Sequence, residues 1–219
     1  MSAKDRDLLN TVNAYFRERI NCHGAVPEGV DWNSDAAQLL RFSALCRFLP
    51  AEKRFSINDL GCGYGRLAAY LAEKHPACHR YAGYDLSAEM ICSAEKGAHE
   101  LPAVSFHVIA GPEEMAPADY TVASGIFNVK FDYPESRWLA YVLETLDAMD
   151  RRSRAGFAFN MLTRYSDAEH MKDRLFYADP CFIFDYCKRN YSRHVALIHD
   201  YGLYDFTIQV TKQFPEALK

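Results

Sequence analysis

Hydrophobic residues recur at helical spacing near the start of the chain. In segment 5–20 they return every three or four positions, which predicts an amphipathic helix. Segment 21–29 holds two glycines and a proline and predicts a loop. A second helix is predicted between an N-cap at Ser34 or Asp35 and a stop at Pro50.

From residue 55 onward, short apolar runs alternate with longer amphipathic segments. The predicted strands are residues 55–60, 81–85, 104–109, 120–124 and 156–162. The predicted helices are residues 66–75, 88–99 and 134–149. Strands that alternate with helices of this length indicate βαβ units, and therefore a mostly parallel sheet with helices on both faces.

The end of the chain follows a different pattern. After a predicted helix at 181–189, two strand-like segments, 194–199 and 205–211, are separated by only five residues. Parallel neighbours need a long crossover, so this pair predicts an antiparallel hairpin. We therefore expect a Rossmann-like α/β fold in one compact unit, with a helical cap at 1–50 and the main domain at 51–219.

The strongest local motif is a G-x-G-x-G loop between a predicted strand and a predicted helix. Its glycines are Gly61, Gly63 and Gly65, and Asp85 follows 20 residues after the last of them. Glycines allow a sharp turn and let a ligand approach the backbone, while a carboxylate after the second strand can bind both hydroxyls of a ribose. Together they predict a cofactor that contains a nucleoside.

The spacing of the loop separates two classes of cofactor. A dinucleotide fingerprint reads G-x-G-x-x-G, whereas here the position after Gly65 is Arg66. The segment from Asp59 to Gly65 is similar to motif I of the class I S-adenosylmethionine-dependent methyltransferases, and Gly83 to Ser87 looks like their second-strand motif. The resemblance implies a seven-stranded sheet, S-adenosylmethionine as cofactor and S-adenosylhomocysteine as product.

The resemblance also implies which residues bind the cofactor. Those expected around the methionine moiety are Asp59, Gly61, Gly63 and Gly65, and Cys62 within the loop is expected to be a small packing residue of the cofactor site rather than a nucleophile. Those expected around the ribose and adenine are Asp85, Leu86 and Met90. An acidic residue of this family usually holds the adenine amino group after the third strand; here a backbone contact in the stretch that contains Gly111 and the side chain of Glu113 remain alternatives. After the fourth strand, the segment from Ser124 to Asn128 is expected to line the active site, with Ser124 and Gly125 among the cofactor-binding residues.

The acceptor side of the site is expected to come from loops after the later strands. Methyl transfer is a displacement at an activated carbon, so the protein mainly positions the acceptor and excludes water. Tyr165, Tyr177 and His199 are the candidate catalytic residues, as hydrogen-bonding groups or as a base. Before the main domain, Trp32, Gln38 and Arg41 form either a lid over the cofactor or ordinary packing.

Charge and composition narrow the range of partners. The net charge is −4, and Ser124 to Phe127 replace the Asn/Asp-Pro-Pro-aromatic motif of methyltransferases that modify nucleic-acid bases. These features predict a small-molecule acceptor rather than a nucleic acid. The chain also looks like uncharacterised bacterial methyltransferases, some of which belong to surface-saccharide or secondary-metabolite pathways. Acceptor and oligomeric state stay open.

Other sequence features concern the location of the protein. No apolar run reaches the roughly 18–20 residues that span a bilayer. Seven cysteines, an odd number without any C-x-x-C pair, predict reduced thiols rather than disulfides or zinc ligands, and hence a cytoplasmic protein without a metal. The alternatives are an NAD-dependent oxidoreductase and a non-catalytic S-adenosylmethionine-binding protein.

Overall fold

The computed structural model describes residues 3–30, 34–97 and 101–213. Its α-helices are α1 (Ala3–His23), α2 (Asp35–Cys46), α3 (Arg66–Lys74), α4 (Ala88–Glu95), α5 (Glu135–Arg152) and α6 (Pro180–Asn190). Its strands are β1 (Phe55–Leu60), β2 (Cys78–Asp85), β3 (Val104–Val108), β4 (Ala118–Ala123), β5 (Ser153–Leu162), β6 (Val195–Ile198) and β7 (Asp205–Thr211). Short 3-10 helices lie at Pro27–Val30, Pro112–Glu114 and Ala168–His170.

The seven strands form one sheet in the order β3-β2-β1-β4-β5-β7-β6. Strands β1 to β5 pair in parallel, whereas β7 is antiparallel to both β5 and β6. The predicted Rossmann-like sheet with a terminal antiparallel hairpin is therefore confirmed. The chain order reverses between β1 and β4, and the crevice outside the carboxyl ends of the strands at such a point is where α/β proteins bind ligands.

The predicted boundaries of some strands were wrong by a few residues. There, hydrogen-bonded pairing with a neighbouring strand, rather than the pattern of side chains, determines where the strand begins. Strand β2 begins at Cys78, three residues early, because its parallel pairing with β1 starts at Phe55 and Cys78. Strand β5 begins at Ser153, whose partner is Ala118. Helix α2 begins as predicted, since the Ser34 side chain accepts a hydrogen bond from the Ala37 amide at 3.2 Å.

Helices cover both faces of the sheet. One core cluster joins Leu8 and Leu9 of α1 to Trp138 of α5 and to Phe157 and Phe159 of β5. The second cluster joins α2 and α3 to the opposite face. Residues of α1 therefore belong to the same hydrophobic core as the sheet, and α1 contacts α4; the boundary at residue 50 stays a prediction. Within the described ranges, no helix is long and apolar enough to cross a membrane.

Candidate cofactor site

The glycine loop after β1 turns with left-handed backbone conformations. Gly61 has φ +74° and Gly63 has φ +53°, and the amides of Gly61 and Cys62 donate to the Tyr84 carbonyl at 2.7 and 3.1 Å. A Cβ atom on Gly61 would lie 2.2 Å from Cγ2 of Ile126. Only glycine fits at this position, because it permits both the positive φ and the close approach of the β4–α5 connection.

Gly65 serves a different purpose from the one that the motif predicts. It is the N-cap of α3, with φ +81°, and does not line the cleft. A Cβ there would lie 3.1 Å from Cζ of Phe106 and 3.2 Å from Cβ of Ala94. The absence of a side chain therefore allows the start of α3 to pack against β3 and α4.

Asp85 lies at the carboxyl end of β2, beside the glycine loop. Its Oδ2 accepts a hydrogen bond from the Gly63 amide at 2.9 Å, and its Oδ1 accepts one from the Ser87 amide at 2.9 Å. Burial raises the pKa of Asp85, while these backbone donors oppose that rise. A carboxylate oxygen can accept more than one hydrogen bond, so both oxygens retain acceptor capacity toward the cleft.

Asp59 is a second carboxylate in the cleft wall, at the end of β1. It is 3% exposed and accepts a hydrogen bond from the Tyr81 hydroxyl at 2.6 Å. Burial raises the pKa of Asp59 to about 7, although the Tyr81 hydrogen bond acts in the opposite direction. Asp59 is therefore poised to gain or lose a proton near neutral pH.

The cleft is bounded by the glycine loop, the ends of β2 and β3, α1, the start of α2, residues 124–126 and α5. The predicted cofactor residues that line it are Asp59, Gly61, Cys62, Gly63, Asp85, Leu86, Met90, Ser124 and Gly125. Burial raises the pKa of the Cys62 thiol far above its ordinary value, so the thiol stays neutral and acts as packing.

Gly111 and Glu113 do not line the cleft, although their neighbours Ile109 and Pro112 do. The Glu113 side chain points away to the surface, where it pairs with Arg151 and with Arg152 of α5. The predicted contact between Glu113 and adenine is therefore not present in this arrangement, because two guanidinium groups hold the carboxylate elsewhere.

The three predicted catalytic residues also lie outside the cleft. Tyr165 is 65% exposed, and its ring lies 6.5 Å from that of His199. The Tyr177 hydroxyl accepts a hydrogen bond from the Lys172 amide at 3.0 Å. His199 follows β6, four places from β1 in the sheet, so at strand spacing it lies roughly 19 Å to the side of the glycine loop.

The three candidate lid residues do not lie together. Gln38 lines the cleft, and its Oε1 accepts a hydrogen bond from the Tyr64 hydroxyl at 2.9 Å. Arg41 is buried in an ion pair with Asp205 of β7, at 2.5 Å. Trp32 lies outside the described residues.

Sequence reasoning missed a large part of the cleft. The residues that it did not assign there are Leu9, Val12, Asn13, Phe16, Val30, Phe42, Leu60, Tyr64, Arg66, Leu67, Ile109, Pro112, Tyr141 and Thr145. In α1 a signal was available, since Asn13 interrupts an otherwise apolar stripe. For Tyr141 and Thr145 of α5 no local signal exists, because only the tertiary packing brings that helix to the cleft.

These residues fit an adenosyl cofactor. The glycine backbone offers a bare cradle, Asp85 offers paired acceptors for ribose hydroxyls, and Leu86, Met90 and Ile109 offer apolar walls for a base. Among the residues that the structure describes, no group of three or more metal-ligating side chains is gathered in one place.

Comparison with known proteins identifies related chains. The family model described as "Methyltransferase domain" matches residues 57–149. A protein of Mycobacterium tuberculosis strain H37Rv named "Putative methyltransferase Rv1506c" is 49% identical over 166 residues, which cover 76% of this chain and 98% of that protein.

Solved structures share the fold at low identity. A DhpI complex titled with SAM and HEP is 17% identical, with a TM-score of 0.63 over 97% of this chain and 100% of that one. Human N-acetylserotonin methyltransferase in complex with SAM is 15% identical, with a TM-score of 0.64 over 94% of this chain and 59% of that one. Magnesium protoporphyrin IX methyltransferase from Synechocystis PCC 6803 with bound SAH is 12% identical, with a TM-score of 0.55 over 97% and 89%.

Proposed function

The chain belongs to the class I S-adenosylmethionine-dependent methyltransferases, and we propose that its cleft carries a methyl transfer to a small-molecule acceptor. The observation that carries the proposal is the Asp85 carboxylate, fixed by the Gly63 and Ser87 amides beside a glycine cradle. This membership also removes the reason for considering an NAD-dependent oxidoreductase.

The roles of the cofactor-side residues follow from their positions. S-adenosylmethionine supplies an activated methyl group on a sulfonium. Asp85 would accept hydrogen bonds from both ribose hydroxyls, and Asp59 would face the ammonium group of the methionine moiety. Gly61 and Gly63 leave room for the chain of the cofactor, whereas Leu86 and Ile109 would enclose the adenine.

The acceptor side is predominantly apolar. Phe16 of α1, Ile126 after β4 and Tyr141 of α5 line the part of the cleft not assigned to the cofactor. Such a surface excludes water and favours an acceptor with an aromatic or aliphatic body. Burial raises the pKa of Tyr141 to about 12, so its hydroxyl is neutral at pH 7 and suits positioning rather than proton abstraction.

No histidine lines the cleft among residues 3–30, 34–97 and 101–213. Asp59, whose pKa lies near 7, would be occupied by the ammonium group of the cofactor, so we propose that catalysis depends on alignment of the acceptor and on exclusion of water rather than on a protein base. The predicted roles of Tyr165, Tyr177 and His199 do not enter this proposal, because these residues lie outside the cleft.

Calorimetric titration tests the cofactor part of the proposal. Wild-type protein is expected to bind S-adenosylmethionine and S-adenosylhomocysteine and to show no heat with NAD. Since hydrogen bonds to a charged group contribute about 1.5–3 kcal/mol each, Asp85→Ala is expected to weaken binding at least about tenfold. Asp173→Ala, which removes an exposed carboxylate, serves as the matched control.

Two results of these titrations contradict the proposal. They are NAD binding, and equal affinity of Asp85→Ala and wild type. Turnover of a radiolabelled methyl group onto a panel of small aromatic and aliphatic acceptors tests the transferase part. A protein that binds the cofactor yet transfers to none of the acceptors, or to water alone, favours the non-catalytic alternative.

A further inference from the structure

Asn13 is a polar residue on the cleft-facing side of α1. Its neighbours on that side, Leu9, Val12 and Phe16, are apolar and also line the cleft. The Oδ1 atom of Asn13 is buried, yet it has no hydrogen-bond partner among the described residues. Leaving a buried acceptor unsatisfied costs free energy, so such an atom at a ligand cleft indicates that a ligand completes its hydrogen bonding.

The position of Asn13 identifies the part of the ligand that it faces. Asn13 lines the main cleft together with Leu86, after β2, and Ile109, after β3, and the same three residues line a second pocket. Asp85 would hold the ribose at the end of β2, and β3 is the next strand outward from the glycine loop. A base attached to that ribose would extend toward β3, and its polar edge would then face α1.

Two groups that follow β3 are engaged elsewhere. Glu113 is paired with Arg151 and Arg152. The Ala110 amide donates to the Glu114 carboxylate at 3.2 Å. The Glu113 carboxylate is thus not directed at an adenine amino group, and the Ala110 amide, a donor, could only meet a ring nitrogen if it were free.

We propose that Asn13 recognises the adenine of the cofactor. A carboxamide matches adenine with two hydrogen bonds, one accepted from the 6-amino group and one donated to a ring nitrogen, as Asn does when it reads adenine in nucleic acids. This inference rests on the proposed binding of S-adenosylmethionine, but it assigns adenine recognition to an N-terminal helix rather than to an acidic residue after β3.

A cycle that combines protein and ligand changes tests the assignment. The ligands are S-adenosylhomocysteine and its analogue in which the 6-amino group is replaced by hydrogen. The proteins are wild type, Asn13→Ala, Glu113→Ala and Glu18→Ala, the last a control on the exposed side of α1. Dissociation constants come from calorimetry, and thermal unfolding of each ligand-free protein reports on folding.

The expected pattern is specific to Asn13. Wild-type protein is expected to bind the analogue about 10- to 100-fold more weakly than S-adenosylhomocysteine. Asn13→Ala is expected to bind both ligands equally and more weakly than wild type binds the analogue, because the hydrogen bond to the ring nitrogen is lost as well, with an unchanged unfolding midpoint. Glu113→Ala and Glu18→Ala are expected to keep the wild-type difference between the ligands.

Other outcomes overturn the inference in distinguishable ways. If Asn13→Ala keeps the full preference for the amino group, Asn13 does not read the base. If Glu113→Ala alone removes the preference, the acidic residue after β3 does. If wild-type protein binds neither ligand, the proposed function itself fails, independently of Asn13.

Discussion

Asp59 connects the protonation state of the cleft with the binding of its cofactor. Its pKa is raised to about 7 in the free protein by burial, and the ammonium group of the cofactor would favour the ionised carboxylate. Binding then releases a proton, so the affinity for S-adenosylhomocysteine is expected to fall as the pH decreases below about 7, by up to tenfold per pH unit. Calorimetry between pH 5.5 and pH 8.5 measures this dependence.

Asp59→Asn provides the comparison for this pH dependence. The amide cannot titrate, so the variant is expected to bind S-adenosylhomocysteine more weakly at pH 8 but to lose the change in affinity near pH 7.

The stability of the ligand-free protein offers a second measurement of the Asp59 pKa. The pKa of Asp59 is higher in the folded protein than in the unfolded chain, where it is near 4. Its contribution to the free energy of unfolding is therefore complete below pH 4 and is lost as the pH rises through 7, so ligand-free wild type should become less stable between pH 5 and pH 8. A flat wild-type profile in both measurements contradicts the assignment.

A comparison of substitutions at Gly61 and Gly202 distinguishes the cost of backbone strain from the cost of steric contact. Both have positive φ, +74° and +68°, but a Cβ on Gly61 would meet Ile126 at 2.2 Å whereas a Cβ on Gly202 would meet nothing within 4 Å. Gly202→Ala is expected to reduce the free energy of unfolding by about 1 kcal/mol through its backbone alone. Gly61→Ala is expected to cost about 1–3 kcal/mol more through overpacking, and to weaken cofactor binding.

Urea unfolding of the two glycine variants measures the difference. The double variant Gly61→Ala with Ile126→Ala is expected to recover part of the loss, because the smaller residue removes the clash but not the strain. Equal losses for Gly61→Ala and Gly202→Ala would show that the contact with Ile126 does not constrain the loop.

At the level of single residues, the sequence predicted those parts of the site that follow one another along the chain. The motif found Gly61, Gly63 and Asp85, which line the cleft, because strand, turn and helix fix their geometry locally. It assigned Gly65 to the ligand, although Phe106 and Ala94 account for that glycine. The contacts that distinguish these two cases come from β3 and α4, which are distant in sequence.

At the level of elements, the buried ion pair between Arg41 and Asp205 joins α2 to β7. Arg41 Nη2 lies 2.5 Å from Asp205 Oδ2, and the two side chains are 8% and 0% exposed. Burial raises the pKa of Asp205, and Arg41 opposes that rise. Removal of one partner leaves a charge without its counter-ion in the core, so Arg41→Ala is expected to reduce the free energy of unfolding by about 3–5 kcal/mol.

The matched variants distinguish lost charge pairing from lost packing. Arg41→Met with Asp205→Leu removes both charges and keeps much of the volume, so this pair is expected to be much more stable than Arg41→Ala alone. Arg47→Ala controls for an exposed pair, since Arg47 lies 3.7 Å from Asp200 at the surface, and should change stability by less than about 1 kcal/mol. Urea unfolding gives the three values; a small loss in Arg41→Ala contradicts a role in holding α2 to the sheet.

The order of elements was predictable, but the covering of the site was not. Alternating strands and helices, followed by a close pair of strands, determine the class of sheet because parallel neighbours need long crossovers. The same reasoning predicts that α1 is amphipathic, but it does not assign the apolar face to a partner. Leu8 does belong to the core, yet Leu9, Val12 and Phe16 also form one wall of the cleft. The hydrophobic periodicity of a helix shows which of its faces is buried, but it does not show whether protein side chains or a ligand bury that face.

At the level of the whole molecule, a cofactor bound in the cleft would connect α1 with the sheet. Because α1, the glycine loop and α5 all line the cleft, a bound ligand would contact elements from three parts of the chain. S-adenosylhomocysteine at 100 times its dissociation constant is expected to stabilise the fold by about 2.7 kcal/mol. For a chain of this size, that corresponds to an increase in the unfolding midpoint of roughly 5–11 °C.

Hydrogen exchange shows which elements of the protein the bound ligand stabilises. If α1 forms a wall of the occupied site, its amides around Asn13 should exchange more slowly with ligand, together with those of residues 124–126, because opening of α1 would then require loss of the ligand's contacts. Asn13→Ala should keep part of this protection, since Leu9, Val12 and Phe16 remain, whereas Asp85→Ala should lose it at the same ligand concentration. A higher unfolding midpoint without slower exchange in α1 would mean that the cofactor binds to the sheet edge alone, with α1 as core packing only.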